Sequence, residues 1–189
     1  MRRAVFLDQD GTVVREVGPI SDASALRLHR GAAGALRALQ DAGYALVMIT
    51  NQSAVARGLL TEAGLARIHD LLAARLWRRG VALDGIYVCP HHPTAGIGPF
   101  RKRCRCRKPG AGLVLRACRE LSIDAARSFF VGDSVRDVGA ALRSGTRPIL
   151  VLTGYGREHR EAARALAPDL PVARDIGAAA RLILRGGRA

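Results

Sequence analysis

Two carboxylates one residue apart stand in Asp8-Gln9-Asp10-Gly11-Thr12, directly after the apolar run Ala4-Val5-Phe6-Leu7. Gly11 permits a tight turn there. Carboxylates held this close repel, and each resists ionising unless a cation sits between them or one keeps a proton. Both solutions suit Mg²⁺-assisted phosphoryl chemistry. An ordinary acidic turn or half of a calcium loop would carry the same tetrapeptide, so its weight depends on what else the chain brings to it.

Three more polar clusters follow apolar runs. Thr50-Asn51-Gln52-Ser53 comes after Leu46 to Ile49, and its hydroxyl and amide donors at a helix start suit phosphate oxygens or a plain N-cap. Gly132-Asp133-Ser134 with Asp137 comes after Phe129 to Val131; Asp133 can join Asp8 as a hard oxygen ligand for Mg²⁺. Asp137 suits either the support of a water or loop, or a favourable acid near a helix N-terminus. Lys108 lies in Arg105-Cys106-Arg107-Lys108-Pro109-Gly110, where a cation would offset the charge of Asp8 and of a phosphate together.

Cys89-Pro90-His91-His92 and Cys104-Arg105-Cys106 bracket a loop of low apolar content that holds Pro93, Gly96, Gly98 and Pro99. Three thiolates and one imidazole make a closed tetrahedral Zn²⁺ site with no open position for water, which predicts a structural zinc. His91 is the preferred fourth ligand and His92 the alternative. Such a staple would hold Arg107 and Lys108 in place. The spacing does not fit a DNA-reading finger. Cys118 stands alone in a helical pattern and is expected to be a small buried hydrophobe.

The elements that must position these groups alternate regularly. Strands are expected over Arg3 to Leu7, Tyr44 to Ile49, Ile86 to Val88, Ser128 to Val131 and Pro148 to Leu152, with a short one near Val172. Helices are expected over Gly31 to Ala42, from Thr61 to Gly80 with Leu65, Ile68, Leu72 and Leu76 on one face, and up to Leu121. Others follow over Val135 to Ser144, from about Arg157, and over Ile176 to Leu184. The alternation predicts an α/β fold, a Rossmann-like doubly wound parallel sheet with helices on both faces. All four polar clusters would then meet at one edge of that sheet.

At 189 residues and 49% hydrophobic, the chain is expected to form one domain over residues 1–189. No apolar run is long enough to cross a bilayer, and the expectation is a cytoplasmic monomer with no membrane partner. The net charge is +14. Only Lys102 and Lys108 are lysines, and the arginines are spread along the chain. That pattern reads as a basic solvated surface, so a nucleic-acid partner is not expected.

Taken together, Phe6-Leu7-Asp8-Gln9-Asp10-Gly11-Thr12, Thr50 to Ser53 through Ala56-Arg57-Gly58, Arg107-Lys108-Pro109, and Gly132-Asp133 with Asp137 resemble the four motifs of the haloacid dehalogenase superfamily of phosphatases. Cys89, His91, Cys104 and Cys106 match the zinc ligands of its subgroup of heptose bisphosphate and histidinol phosphatases. The resemblance implies that Asp8 is the nucleophile and Asp10 the general acid and base. It implies Mg²⁺ on Asp8, on the backbone carbonyl of Asp10 and on Asp133, and phosphoryl binding by Thr50 and Lys108. Asn51, Gln52, Ser53, Ser134 and above all Arg107 would serve substrate binding, with Asp137 in support. The implied partner is a small phosphorylated sugar, heptose bisphosphate first; histidinol phosphate and a polynucleotide 3'-phosphate are the alternatives, and a basic zinc-stapled binding module is the reading from another class.

Two departures are visible. Gln9 stands where the family commonly has Arg. Glu16-Val17-Gly18-Pro19 differs from the His-Gly-Tyr type segment that contacts the sugar in heptose enzymes. No large inserted cap domain is expected.

Overall fold

Six apolar runs become six strands: β1 (Ala4–Leu7), β2 (Ala45–Asn51), β3 (Gly85–Cys89), β4 (Phe129–Gly132), β5 (Arg147–Val151) and β6 (Val172–Ala173). They form one sheet in the order β3-β2-β1-β4-β5-β6, and every neighbouring pair is parallel. The computed structural model describes residues 1–16 and 26–186. Val17, Gly18 and Pro19, where the sugar-contacting segment departs from the family, lie outside them.

The helices are α1 (Ala32–Asp41), α2 (Ser53–Ala56), α3 (Glu62–Trp77), α4 (Gly112–Glu120), α5 (Val135–Ser144), α6 (Gly156–Leu166) and α7 (Ile176–Gly186). Thr61 caps α3 by accepting from Gly64 N–H at 3.0 Å. The cluster at Ser53 opens only a single turn, α2. Among the described residues no separately folded unit stands between β1 and α1 or between β3 and α4.

Alternation along the central strands divides the core in two. Val5, Leu7, Leu46 and Met48 pack with Leu36 and Leu39 of α1, Leu72 and Leu76 of α3 and Ile183 of α7. Ala4, Phe6, Val47 and Ile49 face the other way, onto Leu113, Val114 and Ala117 of α4 and Ala140 and Ala141 of α5. A strand covered on both faces reads as a continuous apolar run, as β1 does. Each large side chain buried there stabilises the fold by about 1.5–3 kcal/mol relative to exposure. Cys118 departs from expectation: it is half-buried at the edge of the second core half, because α4 turns that position toward solvent.

The strand order reverses at β1. The chain leaves β1 for β2 on one side, while β4 pairs on the other, and a crevice opens at such a switch point beyond the carboxyl ends of the strands. Asp8 follows β1, and Asp133 follows β4.

Candidate active site

Asp8 comes off the end of β1 with its N–H bonded to Val131 O at 2.9 Å, so β4 fixes its backbone. Its Oδ1 accepts from Gln9 N–H at 2.7 Å and lies 2.6 Å from Lys108 Nζ. Lys108 is 3% exposed, and its ammonium uses three donors: Asp8, Asp137 Oδ1 at 2.7 Å and Ile49 O at 3.0 Å. Burial alone would depress this ammonium, but the Asp137 and Asp8 carboxylates outweigh it and hold its pKa above the ordinary value. A buried cation needs such partners; removing one from an arrangement of this kind costs about 3–5 kcal/mol.

Asn51 presents Lys108. Its Oδ1 accepts from Lys108 N–H at 3.0 Å and its Nδ2 donates to Lys108 O at 3.2 Å, a two-point clamp on one residue's backbone. Asp137 anchors the other side. Its Oδ2 accepts from both the backbone N–H and the hydroxyl of Ser134, at 2.9 and 2.6 Å. Asp137 therefore closes the start of α5 and also pairs with Lys108.

Asp8, Asp133 and Asp137 each bring a carboxylate oxygen, all within 4.8 Å of one another. Burial, then repulsion from Asp137 and Asp133, raises the Asp8 carboxyl well above its ordinary value despite Lys108. Burial, then Asp137, pushes Asp133 up to about 7. Crowded carboxylates that resist ionising are a hard-oxygen donor set short of positive charge, and a divalent cation fits it.

Two glycines shape that set. A side chain at Gly11 (φ 78°) or at Gly154 (φ 52°) would run into Asp133 Oδ2. The carboxylate is thus sandwiched between two backbones, and it accepts from Tyr155 N–H at 2.8 Å. Gly154 and Tyr155 lie in the loop after β5 and bore no sequence signature.

Asp10 is held apart from the cation cluster. Its Oδ2 accepts from Gln52 Nε2 at 2.8 Å, and its Oδ1 from Gln9 Nε2 at 3.2 Å. Burial raises its carboxyl above the ordinary range, Gln52 opposes this, and Glu16 adds to it. A raised carboxyl with two fixed oxygens is suited to carry a proton.

These groups surround a cavity of about 90 Å³ lined by Asp8, Asp10, Thr50, Asn51, Lys108, Asp133 and Ser134, with Glu16, Arg136 and Tyr155 around them. A site that encloses a whole small molecule has roughly 300–1,000 Å³. The cavity therefore takes a phosphoryl group, and the rest of a substrate must lie in its mouth. Four expected substrate contacts are placed otherwise: Asn51 is spent on Lys108, Gln52 on Asp10 and on Thr50 Oγ1 at 3.0 Å, and neither Ser53 nor Arg107 lines the cavity. Arg107 donates to His91 O at 2.9 Å. Burial, with repulsion from Arg136 and Arg57 and against the pull of Cys89 and Cys104, lowers its pKa. Sequence reasoning missed Arg136; it stands directly before Asp137 in α5, but an exposed arginine in so basic a chain carries no signal.

The cysteine loop closes beside this site. Cys89 pairs with Asn51 in the β2–β3 register, and its carbonyl accepts from Gln52 N–H at 2.9 Å. Cys89, His91, Cys104 and Cys106 converge, with sulfurs 3.0–3.6 Å apart and His91 Nδ1 3.4 Å from Cys106 and 3.7 Å from Cys89. The sulfurs are unbonded. Tetrahedral arms of about 2.3 Å to sulfur require edges of roughly this length, so the donors fit one zinc ion. The cluster takes His91 and not His92, whose Nδ1 accepts from Thr94 and Ala95 N–H, at 3.3 and 2.9 Å.

A family model for HAD-hydrolase-like proteins matches residues 105–179. The D-glycero-beta-D-manno-heptose-1,7-bisphosphate 7-phosphatase of Yersinia pestis is 44% identical over 80% of this chain and 81% of its own length. That of Photorhabdus laumondii is 42% identical over 90% of this chain and 94% of its own. Among solved structures, a D,D-heptose 1,7-bisphosphate phosphatase from B. bronchiseptica, complexed with magnesium and phosphate, superposes with a TM-score of 0.87 at 34% identity, over 97% of this chain and 99% of that one. With the strand-end carboxylates already in the order its motifs require, the chain belongs to the haloacid dehalogenase-like phosphoric monoester hydrolases, in the family of these heptose bisphosphate phosphatases.

Proposed function

We propose that the protein removes the 7-phosphate of D-glycero-D-manno-heptose 1,7-bisphosphate. The observation that carries the substrate is the 44% identity to a phosphatase of that name over four-fifths of the chain. The chemistry rests on Asp8. Its Oδ1 is held by Lys108 and the Gln9 N–H, which leaves Oδ2 to attack phosphorus. The P–O bond to the sugar breaks, its electron pair goes to the sugar oxygen, and Asp10 gives that oxygen a proton. Asp10, now ionised, takes a proton from water; the water oxygen bonds to phosphorus, the P–O bond to Asp8 breaks, and the Asp8 carboxylate returns with release of phosphate. Thr50 binds an oxygen of the group in transfer, and the Lys108 ammonium, its three donors spent on Asp8, Asp137 and Ile49 O, offsets that group's charge through its hold on Asp8.

Asp8, Asp133 and the backbone carbonyl of Asp10 would hold Mg²⁺. When bound, it offsets charge on the phosphoryl group and on the crowded carboxylates. Asp137, with both oxygens committed to Lys108 and Ser134, serves as anchor. Zinc on Cys89, His91, Cys104 and Cys106 is structural, since four protein ligands leave no open position.

Arg136 lines the mouth and gives it positive charge, and Arg57 and Arg107 add to the field around it. A second phosphate complements it, with planar forks suited to grip phosphate oxygens in two places. Histidinol phosphate, which carries an ammonium there, does not. The deciding experiment compares kcat/KM for phosphate release from both heptose bisphosphate anomers, histidinol phosphate and a 3'-phosphorylated oligonucleotide, with Mg²⁺ and the zinc-replete protein. A large preference for one heptose anomer is expected; even turnover of all four would overturn the substrate assignment.

A further inference from the structure

Two buried side chains beneath the cavity have no part in the reaction as written. His69 lies on the inward face of α3, 7% exposed, with Nε2 3.0 Å from Oε1 of Gln9. Gln9 is 1% exposed, and Nε2 of the same amide reaches Asp10 Oδ1.

A primary amide has one accepting and one donating end. The donating end of Gln9 meets a carboxylate, so its carbonyl must face His69, and the bond there requires an N–H on His69 Nε2. Without that donor the amide is held in this sense by Asp10 alone, through one bond of 3.2 Å, and a flipped amide sets a carbonyl oxygen against Asp10. Burial lowers the His69 pKa to about 4, so the ring is neutral at physiological pH and carries a single N–H. On the far side of Asp10, Gln52 is oriented in the same way by donating to Thr50 Oγ1 as well.

We propose that His69 and Gln9 are positioning residues for Asp10: His69 sets the direction of the Gln9 amide, and Gln9 with Gln52 fixes the plane of the Asp10 carboxyl so that its proton is presented to the leaving oxygen. This rests on the reading of Asp10 as general acid. With both oxygens accepting from fixed amides, the plane of the carboxyl is pinned while lone pairs remain on each oxygen for a proton. An orienting effect of this kind matters only where a proton must be delivered.

Leaving-group dependence separates that role from simple core packing. A sugar oxygen needs a proton to depart, whereas p-nitrophenolate does not. The test measures kcat/KM on the heptose bisphosphate and on p-nitrophenyl phosphate for the wild type, Asp10→Asn, His69→Leu, Gln9→Met, the His69→Leu/Gln9→Met pair, and His69→Gln. Asp10→Asn is expected to lose about a hundredfold or more on the sugar phosphate relative to the aryl phosphate. His69→Leu and Gln9→Met should each lose about tenfold on the sugar phosphate and less than about twofold on the aryl phosphate, a fraction of the full general-acid effect. The pair should lose no more than either alone, because both act through one amide. His69→Gln, which keeps an N–H donor, should recover most of the loss. Equal losses on both substrates, additive losses, or no loss would overturn the proposal. Gln9→Met leaves α3 untouched and decides the question alone if His69→Leu does not fold. If Asp10→Asn itself shows no leaving-group dependence, the general-acid reading falls first and the positioning role with it.

Discussion

Among the described residues, two clusters of side chains that could hold a metal ion stand at one edge of the sheet, and they are built in opposite ways. The oxygen cluster draws Asp8 from the end of β1 and Asp133 and Asp137 from the end of β4 and the start of α5, so the fold assembles it before any ion arrives. The sulfur cluster draws Cys89 and His91 from one end of a polar loop and Cys104 and Cys106 from the other. Little apolar surface holds that loop, so the ion itself must supply the loop's stability. The oxygen cluster is strained without a cation, its carboxyls pushed up by burial and mutual repulsion. On the function proposed above, the first cluster does chemistry with an exchangeable ion and the second holds Lys108 where that chemistry needs it.

The largest effect that separates them is expected from Asp8→Asn. Phosphate release should fall by roughly four orders of magnitude or more, as when an enzyme loses its nucleophile. Zinc content, measured by mass spectrometry of the metal, should not change. Loss of zinc on that substitution would mean that the two clusters are not separable.

Cys104→Ser attacks the other cluster. It should release zinc and lower the melting temperature by many degrees, since the loop loses a stabilisation of several kcal/mol. Turnover should fall as well, through displacement of Lys108, with the Mg²⁺ requirement retained. A melting curve that matches the wild type would show that the loop stands without its ion.

His69 gives an intermediate, pH-dependent effect. Its pKa is lowered to about 4 by burial, below the ordinary 6.5, so the unfolded chain binds a proton more readily than the folded one. The stability due to its neutral form is fully present above pH 6.5 and is lost as pH falls from there toward 4, by up to about 3 kcal/mol. Urea melts at pH 7.5 and 4.5 should show that loss, and His69→Gln should remove that part of it.

The smallest effect belongs to the rim. Arg136→Ala should raise KM for the heptose bisphosphate about tenfold, the weight of one charge-assisted contact in a partly exposed mouth. It should leave the KM for a heptose monophosphate within about twofold. A matched rise for both would place Arg136 on the transferred phosphate.

Most of this architecture was legible because the local signals agreed. Apolar runs, glycine stops and a threonine cap delimited nearly every element, and parallel α/β order then required Asp8, Thr50 and Asp133 to meet. What stayed hidden was the choice of partner. An amide near a phosphate site suits the phosphate or a neighbouring side chain equally, and only the fold shows that Asn51 is spent on Lys108 and Gln52 on Asp10. Gly154 and Tyr155 reach the site from a loop with no pattern of its own. His69 had left one usable trace: it falls on the apolar face marked by Leu65 and Leu72, where a polar residue must find a partner.

The central claim is that the oxygen cluster is the chemical centre and the sulfur cluster its scaffold. It is tested most directly by phosphate release from heptose 1,7-bisphosphate by zinc-replete protein freed of Mg²⁺, followed by return of Mg²⁺ alone. The account predicts no turnover in the first state, full turnover in the second, and the same zinc content in both. Turnover that persists without Mg²⁺ while zinc remains bound would contradict it.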